Sequence, residues 1–318
     1  MPLAISSSVT DTIGATPLVR LAHVVPEGAA QILVKLESGN PTGSYKDRMA
    51  LAMIEGAERS GALRRGRRVV EFTGGSTGSS LAFVCAVKGY PLSIVTSDAF
   101  SPEKLHTMRA FGADLTVVPS EQGRITPSLF DRMRQEVDRI VEQQDAFWTD
   151  QFHNTDALAG YERMGHEILD QTAAAGAAVD AFCAGVGTGG MLAGVATALR
   201  SGEHPARIVA LEPATSPMLT RGRSGPHRVE GIGTGMILPL LTSGTYDEAR
   251  TVDEDRARRL ALPLARLEGV FAGTSSALNV SGAIELAQQL GPGRSVVTVA
   301  VDTGFKYLSG DLFRETHE

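Results

Sequence analysis

Cysteine, lysine and tryptophan are all scarce in this chain of 318 residues. Cys85 and Cys183 are the two cysteines, and each lies in an apolar run with no His or Cys at ligand spacing. That excludes a disulfide framework and a zinc site, and both are expected to be buried thiols. His153 and His166 do not share a helix face at ligand spacing, so no metal site is expected. Basic charge is not in excess: thirty Lys and Arg face thirty-six Asp and Glu, for a net charge of −6. A nucleic-acid binder would show a basic stripe, so none is expected as a partner. The longest uncharged stretch, 181–199, holds five glycines and reads as strand, loop and buried helix rather than a membrane span. The first residues show no basic segment followed by an apolar one, so a soluble cytoplasmic protein is the expectation. At 42% hydrophobic and 21% charged residues, the chain has ample material for a core.

Glycine, by contrast, is abundant, at 35 residues. Around it, short Val-, Ile- and Leu-rich runs alternate with helical patterns. Strands are predicted at 31–37, 68–73, 92–96, 115–118, 179–185, 208–211 and 296–301. Helices are predicted at 47–59, 77–88, 102–111, 127–143, 161–169, 190–200, 254–267 and 276–290. The strand runs lack strict alternation, as strands buried on both faces do. The pattern predicts an α/β fold with mainly parallel sheets and right-handed crossovers. The stretch 212–239 is the longest without periodicity, and loops of that length tend to be functional.

The glycines cluster where strands end. Thr73-Gly-Gly-Ser-Thr-Gly78 and Gly185-Val-Gly-Thr-Gly-Gly190 each follow a strand, and Gly231-Ile-Gly-Thr-Gly235 closes the long loop. Such junctions let backbone N–H groups converge on an anion at a helix N-terminus. They also simply permit tight turns, but three in one α/β chain favour an anionic ligand. Gly185, Gly187 and Gly190 satisfy the dinucleotide pattern G-x-G-x-x-G, with Glu212 near the position of a ribose-binding acid. A nicotinamide oxidoreductase is therefore one reading, although nothing else marks a hydride-transfer site. Gly74, Ser76 and Gly78 satisfy the hydrolase pattern G-x-S-x-G, but only two strands precede it, too few for that sheet.

Lysine is the sharper signal. Only Lys35, Lys46, Lys88, Lys104 and Lys306 occur. Lys46 stands immediately before the apolar helix Met49-Ala-Leu-Ala-Met-Ile54, where the positive helix end disfavours a charged amine and favours the neutral nucleophile. An ordinary surface lysine is the plain alternative.

Asn40-Pro-Thr-Gly-Ser-Tyr-Lys-Asp-Arg48 resembles the lysine motif of fold-type II pyridoxal-phosphate enzymes, in particular the cysteine synthase (O-acetylserine sulfhydrylase) family. The resemblance continues in order along the chain. It takes in Ile13-Gly-Ala-Thr-Pro-Leu-Val-Arg-Leu21, Ser101-Pro-Glu-Lys-Leu105, Phe111-Gly-Ala-Asp114 and Gln151-Phe-His-Asn154. Gly165-His-Glu-Ile168, the Gly185 loop and Asp302-Thr-Gly-Phe-Lys-Tyr-Leu-Ser309 follow. It implies two three-layer α/β domains of the tryptophan synthase β type: a large cofactor-phosphate domain, 1–38 and 151–318, and a small substrate-carboxylate domain, 39–150.

The resemblance also implies roles. Lys46 would form the Schiff base with pyridoxal 5'-phosphate and then remove the substrate Cα proton. Thr73, Gly74, Gly75, Ser76 and Thr77 would grip the substrate carboxylate, with Gln151 assisting, and Gly231 would line the entrance. Gly187, Thr188, Gly189 and Gly190 would hold the cofactor phosphate, and Thr303 would face the pyridine nitrogen. Ser76 stands where the family usually has an Asn that contacts the cofactor ring oxygen, Met191 where a Thr usually adds a phosphate contact, and Ala277 where Gly follows a Ser pair. The implied reaction is β-replacement on an activated L-serine, O-acetylserine-like, through an aminoacrylate. A dehydratase, β-lyase or racemase of the same fold is the nearer alternative, and a catalytically silent binding protein is a further one. The expected partners are a small amino-acid substrate and a second copy in a homodimer, with neither nucleic acid nor membrane.

Overall fold

The structure, a computed structural model, describes residues 5–100, 102–123, 126–201, 205–236 and 238–314. In chain order the elements are β1 (Leu18–Arg20), β2 (Gln31–Leu36), α1 (Lys46–Ser60), β3 (Val69–Phe72), α2 (Ser76–Lys88), β4 (Leu92–Ser97), α3 (Pro102–Ala110), β5 (Asp114–Val118), α4 (Pro127–Gln144) and β6 (Phe147–Trp148). They continue with α5 (Asp156–Ala174), β7 (Ala181–Gly185), α6 (Gly190–Arg200), β8 (Arg207–Pro213), α7 (Met218–Arg221), β9 (Glu248–Val252), α8 (Glu254–Glu268), α9 (Thr274–Leu290) and β10 (Ser295–Ala300). Each strand and helix read from the sequence is present, α6 with the ends expected and the others with ends shifted. β1, β6, β9 and α7 are additional. They are short or carry charged side chains, and so lack the apolar run that marks the others.

The chain forms two compact units. The first comprises Lys46–Ala157 together with the segment ending at Ile13, and holds a four-stranded sheet in the order β5-β4-β3-β6, parallel throughout. Val70 and Phe72 of β3 and Val95 of β4 pack on Leu129, Met133, Val137 and Ile140 of α4. Strand alternation sends Val69 and Glu71 to the opposite face.

The second unit, Gly14–Tyr45 and Leu158–Glu318, holds a six-stranded sheet in the order β1-β2-β10-β7-β8-β9. Only β1 runs antiparallel to its neighbour. Ile32, Val34, Cys183, Val209 and Leu211 form one core with the apolar stripes of α8 and α9. Cys85 and Cys183 are both free and buried.

The unit boundaries differ from those read in the sequence, 38/39 and 150/151, for identifiable reasons. The Asn40–Tyr45 turn is bonded into the larger unit: Ser44 bridges Asp302, and the Tyr45 N–H donates to the Val301 carbonyl at 2.9 Å. The crossing therefore falls between Tyr45 and Lys46. At the second crossing, the Gln151 N–H donates to Glu71 and the Asn154 amide donates to the Thr149 carbonyl, which keeps 151–157 with the four-stranded sheet.

Candidate active site

Lys46 is the first residue of α1 and is only 7% exposed. Its Nζ lies 3.9 Å from Met49 Sδ, one helical turn on. Burial lowers its pKa to about 8, because an apolar surrounding disfavours the ammonium. Desolvation is thus the cause of a shift that the sequence suggested through the helix field. A lysine in this state becomes a neutral amine as pH rises through about 8 rather than above 10, and the neutral amine is the form that captures a carbonyl.

In the same unit, β3 delivers the loop Thr73–Thr77 to the start of α2. Thr73 Oγ1 accepts the Gly75 N–H at 3.1 Å, and no side chain caps α2. The Thr77 hydroxyl donates to Gln151 Oε1 at 2.8 Å, while Gln151 Nε2 donates to the Phe72 carbonyl at 3.2 Å. The loop and Gln151, far apart in sequence, are therefore one hydrogen-bonded assembly. Ser76 is half-buried at the first position of α2.

A residue the sequence reading passed over sits beneath this assembly. The Glu71 carboxylate accepts four donors: the Phe72 N–H at 2.8 Å, Trp148 Nε1 at 3.3 Å, the Thr149 hydroxyl at 2.7 Å and the Gln151 N–H at 3.0 Å. Burial raises its pKa to about 7, and the four donors oppose that rise. A lone carboxylate inside the apolar run 68–73 was the available signal.

In the larger unit, β7 runs into the loop Gly185–Gly189 and then α6. Gly189, the N-cap, has φ +87, a left-handed conformation that glycine adopts without strain. A Cβ on Gly187 would overlap the Gly231 carbonyl oxygen, so the glycine lets the two loops meet. The Gly233 N–H donates to the Val186 carbonyl at 3.0 Å, tying Gly231–Gly235 to the same loop. Around this loop is a shallow cleft lined by Tyr45, Gly185–Gly189, Met191 and Leu192. Thr188 is 6% exposed, and α6 carries no side-chain cap. Uncapped backbone amides at a helix start and a left-handed glycine fit a phosphate. Tyr45, one wall of the cleft, immediately precedes Lys46 in the chain. Each by itself, the Gly185 loop has the groups to hold a phosphate and Lys46 the amine to capture a carbonyl.

Thr303 is half-buried beside β10, and its N–H donates to the Gly43 carbonyl at 3.0 Å. Its hydroxyl accepts the Phe305 N–H at 3.3 Å. The acid invoked for a nicotinamide site is otherwise engaged: Glu212 accepts the Leu219 and Thr220 N–H groups at 2.7 and 2.9 Å and the Thr220 hydroxyl at 2.7 Å. Those contacts hold the start of α7. His153 pairs with Asp150 at 2.8 Å.

A buried lysine of lowered basicity and a glycine-rich loop at a helix start are the parts that an enzyme working through a bound phosphorylated aldehyde needs. The profile of the pyridoxal-phosphate dependent enzyme family matches residues 9–302, and the chain belongs to that family. It is 41% identical over 310 residues to a cysteine synthase of Staphylococcus aureus (strain Mu50 / ATCC 700699), covering 96% of each chain. It is 38% identical over 315 residues to the O-ureido-L-serine synthase of Streptomyces lavendulae, covering 98% of this chain and 94% of that one. The crystal structure of cysteine synthase (OASS) from Entamoeba histolytica superposes with a TM-score of 0.92 at 30% identity, covering 100% of this chain and 94% of the other. The protein is a pyridoxal-phosphate dependent enzyme of fold type II. Among the described residues no helix is long and apolar enough to cross a membrane.

Proposed function

We propose that this enzyme replaces the β-substituent of an O-activated L-serine, O-acetylserine-like, with a small nucleophile, as a cysteine synthase does. The observation that carries this reading is the near full-length identity to a cysteine synthase and an O-ureido-L-serine synthase, whose names share a β-substituted L-alanine product. When bound, the cofactor supplies the electron sink that lets Cα lose its proton and the β-substituent leave. The chain's own residues supply the rest. Lys46 would hold the cofactor, and its neutral amine would take the proton from Cα. The amides of Thr73–Thr77 and the Gln151 side chain bind the substrate carboxylate. Gly187, Thr188, Gly189 and Gly190 hold the phosphate at the start of α6. Thr303 offers a neutral hydroxyl to the pyridine nitrogen, which favours elimination over transamination, and Gly231 borders the entrance. The same reading has the enzyme working as a cytoplasmic homodimer.

Ser76 favours a second reading of the acceptor. Serine is shorter than asparagine and offers a hydroxyl in place of an amide, leaving room for a nucleophile larger than sulfide. A site that hydrogen-bonds one substrate can reject an analogue lacking the group by orders of magnitude. The test crosses O-acetyl-L-serine, O-phospho-L-serine, L-serine and L-cysteine with sulfide, thiosulfate, cyanide, hydroxyurea and small amines. Highest kcat/KM with O-acetyl-L-serine and sulfide supports the first reading, and with a larger acceptor the second. Turnover to pyruvate or the D-isomer without addition would overturn both.

A further inference from the structure

Glu71 is buried at 0% exposure in the middle of β3, and nothing in the proposed chemistry uses it. Its two oxygens divide their work. Oε1 accepts from Phe72 and Trp148 on one side. Oε2 accepts from the Thr149 hydroxyl and the Gln151 N–H, the two residues that flank Asp150. Asp150 has φ +44, a left-handed conformation that costs a non-glycine residue free energy and persists only where its surroundings impose it. A single carboxylate oxygen thus holds both ends of a strained turn. The side chain issuing from that turn is Gln151, whose Oε1 receives the Thr77 hydroxyl and whose Nε2 is fixed on the Phe72 carbonyl.

The four groups facing Glu71 are all donors, so only an acceptor at each oxygen satisfies them. An amide of the same shape would place N–H against N–H at one of the two oxygens. That would either release the Thr149–Gln151 turn or flip to disturb the Trp148 side. Burying a carboxylate at this depth is costly unless its partners are in place. Its siting directly under the loop is explained if the strained turn must be held for the loop to work.

We propose that Glu71 is a positioning residue for substrate-carboxylate binding: it clamps the Thr149–Gln151 turn so that Gln151 meets Thr77. This rests on the reading of Thr73–Thr77 and Gln151 as the carboxylate-binding elements.

The test is a double-mutant cycle on the holoenzyme, with Glu71→Gln, Gln151→Ala and the pair. Alone, Gln151→Ala and Glu71→Gln should each raise KM for the amino-acid donor about tenfold or more, the scale of one hydrogen bond to a charged group. The effect on kcat and on the cofactor's visible absorbance should be small by comparison. Combined, they should cost no more than the larger single change, because Glu71 acts through Gln151. Multiplicative effects, or a Glu71→Gln enzyme with unchanged KM beside an impaired Gln151→Ala, would overturn the clamp and leave the reading of the loop intact. An unchanged KM in Gln151→Ala would instead remove the loop reading, and the clamp with it. If Glu71→Gln does not fold, Thr149→Val deletes one donor to Oε2 and keeps the volume; it should raise KM in the same direction and lose that effect in the Gln151→Ala background.

Discussion

Asn279, buried in α9, holds Gly185 at the end of β7: its Oδ1 accepts the Gly185 N–H at 2.6 Å, while its Nδ2 donates to the Val299 carbonyl at 2.8 Å. One amide therefore ties the strand entering the Gly185 loop to its neighbour β10. Asn279→Leu keeps the volume and leaves two buried backbone groups unpaired, at a cost of about 1–3 kcal/mol each. The expected result is a lower urea midpoint for the apoprotein together with weaker cofactor retention. An unchanged midpoint would show that water replaces both bonds.

Cofactor capture should depend on pH in a stated direction. With its pKa lowered from 10.5 to about 8, Lys46 is protonated below that value and becomes a nucleophile as pH rises through it. The rate at which apoprotein gains its visible absorbance should rise about tenfold per pH unit up to pH 8 and then level off, since only the neutral amine attacks a carbonyl. A rise continuing unchanged to pH 10 would place the lysine in water. Lys46→Ala should lose the borohydride-reducible chromophore altogether.

The reading of the Gly185 loop as the phosphate site makes two separable predictions. Thr188→Ala should weaken cofactor affinity by about ten- to a hundredfold, the value of a hydrogen bond to a charged group. With Met191 lining the cleft and offering no hydroxyl, nothing at that position replaces the contact. Gly187→Ala should be worse, because its Cβ meets a backbone carbonyl, that of Gly231, which cannot rotate away as a side chain can. Equilibrium dialysis with pyridoxal 5'-phosphate ranks the two.

A Cβ on Gly74 would overlap the Phe100 ring, which packs into the core beside Phe72 and Trp148. Gly74→Ala should therefore displace the ring and raise KM for the amino-acid donor. Adding Phe100→Ala should restore KM at a cost in thermal stability of about 3–5 kcal/mol or less, since Phe100 is only half-buried. A double variant no better than Gly74→Ala would show that the glycine is needed for the loop's backbone rather than for the ring.

Ser76→Asn tests the acceptor. If space beside Ser76 admits a nucleophile larger than sulfide, the substitution should move the kcat/KM ranking toward sulfide. An identical ranking in both enzymes would assign acceptor choice elsewhere.

Much of the molecule was legible in the linear chain because the signals are local. The apolar runs of β3, β4, β7 and β10 declare strands buried on both faces, and the contiguous residues Asn40–Arg48 and Gly185–Gly190 carry their chemistry within a few positions. Their order along the chain was enough to determine fold class and cofactor. What only the tertiary structure decided lies between residues far apart. β1, β6 and β9 exist because a neighbouring strand supplies their hydrogen bonds, not because their own residues demand it. The crossing between units falls after Tyr45 because of pairing with Val301 and Asp302. Glu71 meets Thr149 and Gln151 across 78 and 80 residues, and Gly185 meets Asn279 across 94. No local pattern encodes such pairs: Glu71, Thr149 and Asn279 each read as an ordinary polar residue in an apolar setting, and the motifs holding Gln151 and Gly185 do not name their partners. The basicity of Lys46 belongs with them: its position in a motif is written in the sequence, but its neutral amine near pH 8 is a property of burial, which only the folded chain supplies.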